Sequence, residues 1–175
     1  MVSGAFGENK VPLVLVGGFA VNSYEFSRRT IDIDFLTTEG GYEKVRPHLE
    51  QGGYKEFHRA HPVVRLRKDE PGAIDIDILF ADEKTLDGIL KDAKETEILG
   101  TRLKVPSLNH LIAMKLHALK HDQGSREFRD LRDIVEMAKI NHVDVQTSDF
   151  QNLCLTFGTK EIYQMILEAA KRWKN

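Results

Sequence analysis

Two segments of this chain share one alternation, Ile31-Asp32-Ile33-Asp34-Phe35 and Ile74-Asp75-Ile76-Asp77-Ile78. In an extended strand, residues two apart point to the same face. Each segment therefore predicts a strand with one apolar face and one face carrying two carboxylates. If the two strands are neighbours and both bury their isoleucines in one core, as many as four carboxylates gather on the other face. Like charges opposite each other across a sheet are destabilising, so such a cluster needs compensation. A donor set made only of oxygen suits hard Mg²⁺ or Mn²⁺ better than zinc. Either pair alone reads equally well as the solvated face of a half-exposed strand. The turn upstream of the first pair narrows the choice.

That turn is Gly17-Gly18, which follows the apolar run Pro12-Leu13-Val14-Leu15-Val16. A short valine-rich run without alternation predicts a strand covered on both sides. Glycines between a strand and a helix let backbone N–H groups approach a phosphate closely. Residues 19–31 suffice for a short helix and a return, which would set the acids of the next strand beside the glycines. Phosphates on Gly17 and Gly18, with a metal on Asp32, Asp34, Asp75 and Asp77, describe a nucleoside triphosphate bound as its metal complex.

The rest of the chain supplies the frame. A helix is predicted over 18–26, a strand over 31–37 and a helix over 42–51 closed by Gly52-Gly53. Strands follow at 54–58, 63–67 and 73–80, close enough together to be antiparallel. A helix over 83–93 and a hairpin around Gly100-Thr101 complete a first lobe of residues 1–106. Helices over 108–121, 126–140, 148–157 and 160–173 make a second lobe of residues 107–175. The fold class is α/β, of the α+β type: a mixed sheet with flanking helices and a helical C-terminal lobe that completes a cleft.

Composition excludes several alternatives. With 25 Lys and Arg against 27 Asp and Glu, the net charge of −2 provides no general basic excess, so any nucleic-acid contact must be local. A single cysteine, Cys154, excludes a disulfide framework and leaves a reducing compartment, the cytoplasm, as the expected location. No apolar run approaches the roughly 20 residues of a membrane helix, and the first residues do not read as a signal peptide.

In the helix from Leu108, the apolar Leu108, Leu111, Ile112, Leu116 and Leu119 fall on one arc at about 100° per residue. Lys115 lies in the middle of that arc. It must either snorkel to the helix edge or meet a carboxylate or phosphate. In the next helix Phe128, Leu131, Ile134, Val135 and Ala138 form an apolar face, with Arg126, Asp130 and Asp133 along one polar edge.

Val16-Gly17-Gly18, Asp32-Ile33-Asp34 and the acidic strand at 75–77 resemble the polymerase-beta-type nucleotidyltransferase signature, a glycine pair followed by Asp-x-Asp and a third acid. Arg28-Arg29-Thr30 before the Asp-x-Asp is similar to the Arg-x-Thr run of many members. Either Asp75 or Asp77 could be the third acid, and Asp77 is favoured because Ile78-Leu79-Phe80 follows it. The second glycine is often a serine in this family, so Gly18 would act through its backbone. Residues 111–116, with Arg126, Arg129-Asp130 and Asp133-Ile134, resemble the C-terminal motifs of AbiEii-like toxin nucleotidyltransferases.

This resemblance implies transfer of a nucleoside monophosphate from an NTP to a hydroxyl acceptor, RNA or protein before a small molecule, with release of pyrophosphate. It implies catalytic roles for Asp32, Asp34, Asp77, Lys115 and Asp130. Nucleotide contacts would come from Gly17, Gly18, Arg29, Thr30 and Lys115, and a cognate antitoxin would be the partner. The alternative is a regulatory module that binds nucleotide and metal without turnover.

Other candidates carry less. His117 and His121 have the spacing of a metal pair, but Ala118 stands where a zinc-protease motif has Glu. His58 and His61 flank a turn, and Cys154 lies among apolar residues, as a structural thiol would. Arg65 and Arg67 share a strand face, where they could neutralise the acids or contact phosphate or RNA.

Overall fold

The computed structural model of the chain describes residues 2–98, 100–121 and 127–174. They divide into two compact units, Met1–Ala20 with Arg28–Ser107 and Val21–Ser27 with Leu108–Asn175.

The first unit is built on seven strands, β1 (Val14–Val16), β2 (Asp32–Thr37), β3 (Tyr54–Ala60), β4 (Val63–Lys68), β5 (Asp75–Phe80), β6 (Lys94–Ile98) and β7 (Thr101–Val105). They form a single sheet in the order β3-β4-β5-β2-β1-β7-β6. The β2–β5 and β1–β7 pairs are parallel, and the other pairs are antiparallel. β1 is buried at all three positions, as its unbroken apolar run predicts. The isoleucine face of β2, β4 and β5 supplies the core through Phe35, Val64, Leu66, Ile76 and Ile78.

Helix α1 (Val2–Glu8) precedes the sheet, α2 (Gly17–Asn22) follows β1, α3 (Glu39–Gln51) follows β2 and α4 (Glu83–Lys91) follows β5. Thr38 caps α3 by accepting from the Gly41 amide at 3.0 Å, and Asp82 caps α4 by accepting from the Thr85 amide at 2.8 Å, the usual use of a threonine or aspartate at this position. α3 buries Tyr42, Val45 and Leu49, and the Tyr42 hydroxyl donates to Glu56 on β3 at 2.7 Å. Arg59 on β3 reaches Glu39 and Glu43 of the same helix at 3.0 and 2.6 Å. α3 therefore covers the isoleucine side of the sheet, away from the acids.

The second unit carries α5 (Leu108–His121), α6 (Glu127–Ile140), α7 (Ser148–Phe157) and α8 (Lys160–Lys171). Thr147 and Thr159 cap α7 and α8 through the amides of Phe150 and Ile162. Cys154 is buried, and that burial pushes its thiol up to about 12, so it remains a neutral thiol at physiological pH.

Three elements differ from the sequence-based expectation. α1 contains Gly4 and Gly7, poor helix formers, and is helical because it buries Ala5 and Phe6. The helix expected over 18–26 ends at Asn22, and Val21–Ser27 packs with the second unit instead of the first. There Asn141 donates to the Tyr24 carbonyl at 3.1 Å, and the Arg132 guanidinium lies 5.7 Å from the Phe26 ring centre. Phe128, expected on the apolar face of α6, is 86% exposed. It stands in the first turn of the helix, and the buried face begins further along at Asp130 and Asp133 and continues through Ile134, Val135, Met137 and Ala138. Among the described residues, no helix is long and apolar enough to cross a membrane.

Candidate functional site

The sheet register assembles the acids. β2 lies between β1 and β5, so Asp34 stands opposite Val16 on one side and Asp77 on the other, while Asp32 stands opposite Asp75. Carboxylate oxygens of Asp32, Asp34 and Asp77 all lie within 4.8 Å of one another. Asp77 is nearly buried, and the Arg65 guanidinium approaches its carboxylate at 3.4 Å from the adjacent strand.

Asp75, two residues earlier on the same face, is drawn outward. Arg67 donates to it from Nε at 3.2 Å and from Nη2 at 2.9 Å. Those hydrogen bonds hold the Asp75 carboxyl below the usual carboxylate range. The structure thus brings together Asp32, Asp34 and Asp77, and it places Asp75 in a pair with β4. Both arginines of β4 lie against acids of β5.

Gly17 and Gly18 shape the edge of this group. Gly17 has φ +62, a conformation costly for any residue with a Cβ. A methyl group there would overlap the Asp34 carboxylate and lie 2.8 Å from the Asp34 Cβ. A methyl group at Gly18 would lie 2.6 Å from the Thr30 hydroxyl oxygen and 2.8 Å from its Cβ. The absence of side chains on this turn is what lets Asp34 and Thr30 close on the backbone.

Thr30 in turn donates to Asp32 Oδ1 at 3.0 Å and orients that carboxylate. Arg29 is exposed beside it, and Arg28 donates to the Arg29 carbonyl at 3.4 Å. Partners that orient a metal-ligating carboxylate commonly change metal affinity by about 10–100-fold when removed. Thr30→Val should therefore weaken Mg²⁺ binding by about tenfold while the fold is retained. Isothermal titration with Mg²⁺ checks this, and an unchanged affinity would remove Thr30 from the site.

In the second unit the Lys115 ammonium lies 2.7 Å from Asp130 Oδ1 and 2.6 Å from Asp133 Oδ2. Lys115 is 7% exposed and Asp133 only 1%. The polar edge expected along α6 is thus an inward edge, and Lys115 meets carboxylates there. The ammonium donates a hydrogen bond to Asp130 and is ion-paired with Asp133. Arg126 lies outside the described residues.

The His117 and His121 rings are 4.5 Å apart on the exposed side of α5. Desolvation, then the charges of His121 and Lys120, lowers the pKa of His117. Among the described residues, only Asp32, Asp34 and Asp77 form a group of three or more side chains placed to hold a metal ion.

An oxygen-only set of three carboxylates with a glycine turn against one of them fits a hard divalent cation. Residues 4–172 match the family model described as nucleotidyl transferase AbiEii toxin, type IV toxin–antitoxin system. No curated protein matches the chain in sequence.

Among solved structures, the chain is similar to an antigenic nucleotidyltransferase-like protein from Paracoccidioides brasiliensis, at 17% identity and a TM-score of 0.60 over 99% of this chain and 88% of that one. It is similar to the lincosamide antibiotic adenylyltransferase LnuA in its lincomycin-bound form, at 22% identity and a TM-score of 0.54 over 79% of this chain and 93% of that one. It is also similar to ANT(2'')-Ia in complex with adenylyl-2''-tobramycin, at 13% identity and a TM-score of 0.56 over 98% of this chain and 94% of that one. These likenesses bear on the fold, a seven-stranded mixed sheet of the polymerase-beta nucleotidyltransferase type. With the family match extending over nearly the whole chain, the protein belongs to the AbiEii nucleotidyltransferase toxin family and is a nucleotidyltransferase.

Proposed function

We propose that this enzyme transfers a nucleoside monophosphate from an NTP to a hydroxyl of an RNA or protein acceptor, in a metal-dependent reaction, as the toxin of a toxin–antitoxin pair. The observation that carries the reading is the convergence of Asp32, Asp34 and Asp77 within 4.8 Å beside the Gly17-Gly18 turn. Three carboxylates so close together repel one another unless a cation joins them. Asp32, Asp34 and Asp77 would hold Mg²⁺ or Mn²⁺, and Asp75 stands next to them in its pair with Arg67. Bound there, a divalent cation would supply a lowered pKa for an acceptor hydroxyl and charge neutralisation for the pyrophosphate oxygens.

The protein's own groups bind and orient. Backbone N–H groups of Gly17 and Gly18 approach the phosphates, Thr30 fixes Asp32, and Arg29 adds positive charge from the exposed rim. Lys115, held by Asp130 in the second unit, is the further residue that the family resemblance names. In the reaction the acceptor oxygen bonds to the α-phosphorus as the bond from that phosphorus to the bridging oxygen breaks. The electron pair leaves with pyrophosphate, and the hydroxyl proton passes to solvent. The partners are an NTP, the acceptor and a cognate antitoxin, and the proposed location is the cytoplasm.

The test is pyrophosphate release from each of the four NTPs with Mg²⁺, in the presence of cell extract as a mixed source of acceptors. The expected result is release with one or two NTPs that stops on addition of EDTA and returns with excess Mg²⁺. Mg²⁺-dependent NTP binding without any release would favour a regulatory module. No binding at all would overturn the reading of the acidic face.

A further inference from the structure

On the sheet face that carries the acids, β3 and β4 present a second group of side chains that the transfer described above does not use. A register shift between Glu56 and His58 gives β3 an extra residue, Phe57. Phe57 is 47% exposed, and the Arg67 guanidinium carbon lies 4.4 Å from its ring centre. The same guanidinium is hydrogen-bonded along one edge to Asp75, and its side chain remains open to solvent.

Lys55 stands opposite Arg67, and His58 opposite Arg65; Arg65 in turn stands opposite Asp77. Four basic or titratable side chains and one aromatic ring therefore share a face with the acid triad, in a chain whose net charge is −2. An exposed phenyl ring on an edge strand contributes little to a core. A ring with a hydrogen-bonded guanidinium over it is, however, a flat surface, and bases of single-stranded nucleic acid stack on both kinds of plane.

We propose that Phe57 and Arg67 form a stacking platform for a base of a single-stranded polynucleotide acceptor, whose backbone passes over Arg65, Lys55 and His58 toward the acid triad. The inference rests on the transferase reading and narrows its acceptor to an unpaired end of a polynucleotide strand. At about 4.8 Å between strands, β3 lies about 10 Å from β5. That is about three stacked nucleotides at roughly 3.4 Å each, so the stacked base lies inside the strand and not at its reacting end. A protein acceptor offers no base to such a platform, and a duplex keeps its bases stacked on each other.

The probe is a short single-stranded RNA carrying 2-aminopurine at each position near either end in turn, titrated with the full chain in Mg²⁺. DNA of the same sequence and a preformed duplex serve as the other arms. Stacking quenches the fluorophore, and the expected quench is strongest at an internal position and weak in the duplex. Phe57→Leu should weaken binding by roughly tenfold and abolish the quench, and Phe57→Trp should retain both. Arg67→Lys, which keeps the charge and loses the plane, should reduce the quench. Equal binding of the DNA strand supports the platform as a reader of unpaired bases of either sugar.

The same affinity and quench in Phe57→Leu as in wild type would overturn the proposal. So would a wild type that turns over an NTP but binds no oligonucleotide, which would direct the acceptor search to protein. A wild type that binds no NTP would defeat the transferase reading. In that case a quench still lost in Phe57→Leu would uphold the platform, and no quench would remove it too.

Discussion

Asparagine in place of Asp34 should lower NTP-dependent pyrophosphate release by roughly 10²–10³-fold, the range for loss of one group that stabilises transition-state charge, while leaving the urea midpoint unchanged or higher. Asp34 lies between strands β1 and β5 with Gly17 packed against its carboxylate. Its charge is close to those of Asp32 and Asp77, so the neutral amide removes repulsion from the fold at the same time as it removes a metal ligand. Asp77→Asn should lose activity to a similar extent, with the added loss of its pair with Arg65. Asp75→Asn should lose far less, because Asp75 is engaged by Arg67 outside the group of three. Pyrophosphate release and Mg²⁺ titration on the three variants check this. An Asp34→Asn enzyme that turned over normally would sink the assignment, and equal losses at Asp75 and Asp77 would return the identity of the third acid to an open question.

Lys115→Met is the second variant with a large expected effect, and it acts on stability. The substitution leaves Asp130 and Asp133 facing each other's surroundings without the ammonium that lies 2.7 and 2.6 Å from them. Both acids are buried. Removing one partner from a buried ionic group costs about 3–5 kcal/mol, because the remaining charge stays desolvated. Replacing the whole group by apolar or neutral residues of similar volume is often close to neutral. Urea unfolding of Lys115→Met should therefore show a loss of about that size, and the variant Lys115→Met/Asp130→Asn/Asp133→Leu should recover most of it. A loss below about 1 kcal/mol, the range of solvent-exposed pairs, would show that these three residues do not act as a buried unit. Because the single variant destabilises its unit, its activity is to be compared at a temperature where it remains folded.

Much of the site was legible because strand periodicity is local. Alternation at 31–35 and 74–78 assigned each aspartate to a face, and the spacing of Gly17 from Asp32 placed the turn near the acids. The antiparallel run of β3, β4 and β5 followed from short connections, and the helices of the second unit from their apolar spacing. Sequence spacing could not choose between Asp75 and Asp77, because both lie on the same face of one strand. The tertiary structure groups Asp77, and not Asp75, with Asp32 and Asp34, while β4 sets Arg65 against Asp77 and Arg67 against Asp75.

The same distinction holds in the helices. Periodicity placed Lys115 on an apolar arc but could not name its partners, since Asp130 and Asp133 read only as a polar edge until α6 packs against α5. Nor could it show that Val21–Ser27 leaves the sheet unit, or that Phe128 remains exposed at the start of its helix. From local pattern alone the chain declared a strand–turn–helix with glycines, two acid-faced strands and a helical C-terminal third. Pairing register, burial and charge neighbours came from contacts between residues far apart in the chain, because a side chain's face is set by its own strand or helix while its partner is set by what packs against that face.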